Sequence, residues 1–139
     1  MIAGPDIPAG SKISEDVYLQ DLMATGLEIA GIEKPEYVYF QSLLGMAKGT
    51  QKEGHLDAVY GAYRDLQRMI RKDGFKLVIY PKAKTLKLFD INEDPKEITN
   101  LATDPVYHER MANMFLELMD LQTQMQDTLD LSLLYNETI

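Results

Sequence analysis

The sequence predicts an α+β fold: an antiparallel sheet of three or four strands packed against a long C-terminal helix, preceded by a helical segment. Three observations carry that reading. Asp73-Gly74 lies between two β-rich runs, and Asp-Gly is a hairpin signal because both central positions accept positive φ. After it, Phe75, Leu77 and Ile79 alternate with Lys76, Val78 and Tyr80, the period of two expected of a strand with one face on a core. Toward the C-terminus Met111, Met114, Leu118, Leu121 and Met125 recur at spacings of 3, 4, 3 and 4, one continuous apolar helical stripe. A lone sheet face must be covered, and this helix is its natural cover.

Taken in order, residues 1–13 hold Gly4-Pro5-Asp6 and Pro8-Ala9-Gly10, turn chemistry that marks a loop. A helix starts at Ser14 or at Gln20-Asp21 and runs to Ala30, with Gly31 where a left-handed cap belongs. Leu22, Ile29 and their neighbours give it an apolar stripe. Residues 33–42 read as irregular, and Ser42-Leu43-Leu44-Gly45-Met46-Ala47 as one or two helical turns stopped by Gly49. Thr50 to Gly54 is polar and reads as a flexible link, so the expected division is 1–50 and 51–139. The Asp57–Tyr63 run is a candidate fourth strand. In the next run Leu66 and Ile70 share one face, with Gln67, Met69 and Arg71 on the other. Pro81-Lys82-Ala83-Lys84 makes a second reversal, since proline cannot continue a ladder, and Leu86 and Leu88 resume the alternation. Asp104 is placed to cap the last helix and Pro105 suits its first turn. Residues 130–139 are expected to fray.

Composition narrows the function. The 139 residues carry a net charge of −8, which disfavours a nucleic-acid partner held by phosphate contacts. The charge is uneven: Arg64 to Lys87 holds eight basic and two acidic residues, the rest six basic and twenty acidic. A positive sheet on an acidic body suits an anionic ligand, or it simply keeps sheet edges from pairing with other chains. The absence of cysteine excludes a thiol nucleophile, a disulfide framework and a thiolate metal site. No apolar run approaches the roughly 18–20 residues that span a bilayer, so no membrane partner is expected. Met1-Ile2-Ala3-Gly4-Pro5-Asp6 shows neither the basic segment nor the apolar stretch of a signal peptide.

The motifs supply no complete catalytic apparatus. Asp90-x-Asn92-x-Asp94 imitates the opening of a calcium loop, but Pro95 and Leu101 stand where that loop needs glycine and a bidentate glutamate. It reads better as the turn that follows a strand. His55 and His108 stand in no metal-ligand spacing; His108 reads as solvated and His55 as part of the link.

The ordered segments nevertheless resemble the C-terminal end of the sulfatase family, within the alkaline-phosphatase-like superfamily. Gly4-Pro5-Asp6-Ile7-Pro8-Ala9-Gly10 resembles its Gly-Pro-Gly-Ile-Pro-x-Gly loop, with Asp6 in place of the second glycine. Asp21-Leu22-Met23-Ala24-Thr25-Gly26-Leu27-Glu28-Ile29-Ala30-Gly31 resembles its Asp-Leu-x-x-Thr-Leu-Leu-x-Leu-Ala-Gly helix, with Gly26 as a departure. Ser42-Leu43-Leu44, Gln67-Arg68-Met69-Ile70-Arg71, Lys76-Leu77-Val78-Ile79-Tyr80-Pro81, Leu88-Phe89-Asp90 and Asp94-Pro95-x-Glu97-x-x-Asn100-Leu101 follow in the family's order.

The resemblance implies a parent that hydrolyses sulfate esters. There a Cys/Ser-x-Pro-x-Arg motif yields formylglycine, whose hydrate attacks sulfur beside a calcium ion held by Asp and Asn side chains. This chain has no such motif, so no catalytic residue, metal ligand or cofactor is expected in it, and it is expected to be inactive alone. Residues 1–50 read as a remnant of the family's α/β core and 51–139 as its C-terminal subdomain. His55, Tyr63, Arg64 and Arg68 are the substrate-binding candidates, close to the basic stretch that would attract an anionic ester. Apolar surface on the Leu22–Ala30 helix, without that core, implies self-association. The rivals are a non-catalytic assembly or binding module and a fragment of a related phosphodiesterase or phosphonate hydrolase.

Overall fold

A computed structural model describes residues 1–139 and divides them into two units, Met1–Asp57 and Ala58–Ile139. In the first, helix α1 spans Asp21–Ile29 and the short α2 spans Leu44–Lys48. Both end as their glycines dictate. Gly31 (φ 67°) donates to the Glu28 carbonyl and Ile32 to the Leu27 carbonyl, a paired closure that satisfies orphan carbonyls of the last turn. Gly49 (φ 75°) stops α2 in the same left-handed conformation.

The apolar side chains of α1 lie on its exposed side. Leu22, Met23 and Ile29 are 49%, 51% and 68% exposed, whereas Asp21, Ala24 and Thr25 are buried. Hydrogen bonds decide this face. The Thr25 hydroxyl donates to the Asp21 carbonyl (2.8 Å) and accepts from the Leu43 amide (2.9 Å), tying α1 to the segment before α2.

The second unit is the expected α+β arrangement. Strands β1 (Val59–Tyr63), β2 (Gln67–Lys72), β3 (Phe75–Tyr80) and β4 (Thr85–Asp90) form an antiparallel meander in sequence order. The candidate fourth strand is therefore present, as β1. Asp73 (φ 49°) and Gly74 (φ 77°) both take positive φ, and the register Lys72↔Phe75 makes them a two-residue turn. Pro81–Ala83 forms a 3-10 turn that Lys84 closes in the left-handed region.

Tyr60, Ile70, Leu77, Ile79, Leu86 and Leu88 project from one sheet face into the core. Helix α3 (His108–Gln124) covers them with Met111, Met114, Phe115 and Leu118. Asp104 caps the 3-10 turn leading into it, accepting from the Val106 amide (3.0 Å). The expected fraying after residue 130 is overturned: α4 (Ser132–Thr138) folds back, with Leu131 and Leu134 in the same core. The physical reason is apolar burial, about 1.5–3 kcal/mol for each large side chain removed from water. No helix is long and apolar enough to cross a membrane.

Gly74 carries a testable share of the hairpin. A Cβ there would stand 2.1 Å from Asn92 Nδ2, on top of the left-handed strain. Gly74→Ala is expected to cost about 1–2 kcal/mol in urea unfolding, more than Gly49→Ala. Gly49 shares the positive φ but has open space where a Cβ would go, so it isolates the backbone contribution.

Candidate functional site

Much of the basic stretch of the sheet is paired with acids, most of them brought from elsewhere in the second unit. Lys76 meets Glu97 at 2.8 Å, Lys82 meets Asp65 at 2.6 Å and Lys84 meets Glu137 at 2.8 Å, while Lys72 pairs with Glu117. Such surface pairs add at most about 1 kcal/mol each, but they cancel the field that would draw in an anion.

Arg68 is answered most completely. It lies on β2 beside Ile70, on the core side of the sheet, and is 5% exposed. Its Nε and Nη2 donate to Asp127 Oδ2 (2.5 Å) and Oδ1 (2.9 Å), a forked pairing. Its Nη1 donates to the carbonyls of Arg64 (2.5 Å) and Gln67 (2.8 Å). The Tyr60 hydroxyl donates to the same Asp127 oxygen as Arg68 Nε. Asp127 is aimed by the end of α3. Gln126 takes φ 56°, and the Asp127 amide bonds the Gln122 carbonyl at 2.9 Å.

Electrostatics follow the geometry. Burial alone would raise the Asp127 pKa, but hydrogen bonds from Arg68 and Tyr60 hold it well below the usual carboxylate range. Burial and the hydrogen bond to Asp127 push the Tyr60 hydroxyl far above its ordinary value. Asp127 therefore adds stability above the unfolded value of about 3.9, and that contribution is lost as pH falls through its lower folded value. The Asp127→Asn stability deficit is expected to be equal at about pH 7 and pH 5 and to shrink below about pH 4, measured by parallel urea titrations.

Tyr63 and Arg64 sit at the β1–β2 turn, both exposed, with the guanidinium 5.8 Å from the Tyr63 ring centroid. Arg64 takes φ 49°, and Arg68 grips its carbonyl from inside. Thus Tyr63, Arg64 and Arg68 fall in one neighbourhood, Arg68 as the buried anchor of the turn.

His55 belongs to the first unit. It borders a cavity of about 200 Å³ lined by Tyr18, Asp21, Tyr39, Phe40, Gln41 and Leu56. Its Nε2 stands 3.3 Å from Asp21 Oδ2, without hydrogen-bond geometry, and both ring nitrogens are buried without a hydrogen-bond partner. Asp21 is fully buried and pinned: Oδ2 accepts from the Tyr18 amide (2.8 Å) and Oδ1 from the Gln41 amide (3.1 Å).

The profile of the family described as N-sulphoglucosamine sulphohydrolase, C-terminal, matches residues 1–124. The chain belongs to this sulfatase C-terminal family. It is 32% identical over 115 residues to human arylsulfatase K, covering 73% of this chain and 22% of that protein. It is 30% identical over 137 residues to the Δ4,5-hexuronate-2-O-sulfatase of Bacteroides thetaiotaomicron, covering 91% of this chain and 28% of that enzyme. The solved structure of a 2-O GAG sulfatase matches with a TM-score of 0.74 at 27% identity, over 90% of this chain and 29% of that one.

Within this sulfatase C-terminal chain, no three His, Asp or Glu side chains converge as a group that could hold a metal ion. Asp90 and Asp94 instead spend their carboxylates on backbone amides, Asp90 on Asn92 and Glu93, Asp94 on Ile98 and Thr99. Sequence reading missed Asp21 and Asp127 as partners. For Arg68 a signal existed, because it shares the inward parity of Ile70. A cation on that side needs a buried anion.

Proposed function

We propose that this chain supplies the C-terminal part of a sulfuric ester hydrolase, where it completes the fold and edges the substrate pocket, and that it does not turn over sulfate esters by itself. The single observation that carries this is the family match across residues 1–124, in a chain without cysteine or a Cys/Ser-x-Pro-x-Arg motif. The formylglycine and calcium implied by the family then belong to residues outside this sequence. His55, Tyr63 and Arg64 are the residues proposed to meet substrate. Arg68 acts through the turn it anchors.

Two experiments test this. The chain alone, given calcium and 4-methylumbelliferyl sulfate, is expected to release no fluorophore; turnover would overturn the reading. Co-expression with a polypeptide from the adjoining reading frame that carries Cys/Ser-x-Pro-x-Arg is expected to restore sulfatase activity. No such frame, or no activity from the pair, counts against it.

The exposed face of α1 supports a second expectation. Leu19, Leu22, Met23, Ile29 and Ile32 are all exposed, a concentration of apolar side chains that favours association. Sedimentation of the chain alone at tens of micromolar is expected to show a dimer or larger species. A well-behaved monomer would remove this part of the proposal.

A further inference from the structure

We infer that His55 and Asp21 form a pH-sensitive latch. It fastens residues 52–57, the end of the first unit, to the start of α1, and it is shut while the imidazole carries its proton. The latch goes beyond the sulfatase reading and does not depend on it.

Asp21 is fully buried, and its carboxylate accepts the Tyr18 amide on Oδ2 and the Gln41 amide on Oδ1. Those amides occupy both oxygens but bring no positive charge, and a buried carboxylate without a counter-ion is costly. His55 stands where the counter-ion belongs. Its Nε2 is 3.3 Å from Asp21 Oδ2, its side chain is 13% exposed, and both ring nitrogens are buried. The contact lacks hydrogen-bond geometry, but attraction between charges needs proximity more than alignment.

No other group lining the surrounding cavity can do this. Its remaining titratable members are Tyr18 and Tyr39, and a phenol supplies no positive charge. The nearby carboxylate Glu15 accepts from the Gly54 amide at 3.2 Å, so it adds negative charge beside the same segment. Just upstream, the Thr50 and Gln51 amides are fixed on the Gly45 carbonyl. Further along, the Gly54 bond to Glu15 is exposed to solvent, and His55 brings the segment its buried charge contact. The cavity of about 200 Å³ gives the ring room to leave when the attraction is lost.

The direction of the pH effect follows from the charges. A protonated ring sets a cation against the buried carboxylate, and the latch is shut. A neutral ring leaves Asp21 with its amides alone. Histidine changes charge between about pH 5 and pH 8, so the latch weakens as pH rises through that range. While it is shut the ring faces Asp21, and the substrate contact proposed for His55 is open to it only after release.

Amide hydrogen exchange of residues 50–57 in the 139-residue chain tests the latch, compared at about pH 5.5 and about pH 8 after correction for the intrinsic pH dependence of exchange. Protection of this segment is expected to be about tenfold higher at the lower pH, the scale of one charge-assisted contact, with β3 as an unchanged reference. His55→Gln keeps a polar side chain that takes up no proton in this range, and it should abolish the difference. His108→Gln, at the exposed histidine of α3, should retain it. Asp21→Asn should also abolish the difference; if that variant does not fold, the two histidine variants decide. Equal protection at both pH values overturns the inference, as does a difference that survives His55→Gln. None of these readouts involves ester turnover, so the proposed function stands or falls separately.

Discussion

Arg68→Ala is expected to lower the unfolding free energy by about 3–5 kcal/mol, the cost of stranding a buried partner charge. The side chains of Arg68 and Asp127 are 6% and 15% exposed, so little solvent screens what remains. The loss has three parts. Asp127 keeps only the Tyr60 hydroxyl and the Leu129 amide as donors, the Arg64 and Gln67 carbonyls lose theirs, and the positive-φ turn at Arg64 loses its anchor. Removing both charges is a different experiment. A paired Arg68→Met, Asp127→Leu variant is expected to recover most of the loss, because apolar residues of similar volume often replace a buried pair at little cost. Urea unfolding of the two singles and the double closes the cycle. A single-variant loss under about 1 kcal/mol would mean that solvent reaches the pair.

Phe115→Ala is the second large effect, again about 3–5 kcal/mol, for a different reason. Phe115 is fully buried between the inward sheet face and α4, with its ring edge-on to Tyr135 at 5.3 Å. Truncation removes the transfer energy of the ring and leaves a void that a close-packed core fills only in part. Because Tyr135 lies on α4, the variant should also release the C-terminal segment, and amide exchange of residues 132–138 should rise along with the loss of global stability. Unchanged exchange there would show that α4 is held without Phe115. The apolar stripe read at Met111, Met114, Leu118, Leu121 and Met125 did not contain this residue. The buried set runs through Phe115 and Gln122 instead, with Leu121 and Met125 only partly covered. The helix is wrapped by both the sheet and α4, so its buried arc is wider than a single seam.

Local chemistry was legible because its causes lie within a few residues. Asp73-Gly74, Gly31 and Gly49 each take the positive φ that their neighbours demand, and Pro81 ends a strand by lacking a donor. The strand alternation from Phe75 to Ile79 carried its own inward face. The candidate site was less legible. Arg68 read as a substrate-binding candidate in the basic stretch, yet its forked partner is Asp127, 59 residues later in the chain. His55 read as part of a link, yet it lines a cavity with Asp21 and Phe40.

The sequence by itself determined the turns, the strands, the amphipathic helix and the resemblance to the sulfatase C-terminus, since each is written in neighbouring residues or in ordered motifs. Only the tertiary structure decided which charges are cancelled, which face of α1 is buried and what His55 faces. Those properties depend on which distant side chains share a space once the backbone has folded. The energy of a buried charge or an unpaired imidazole is set by that company and not by its place along the chain.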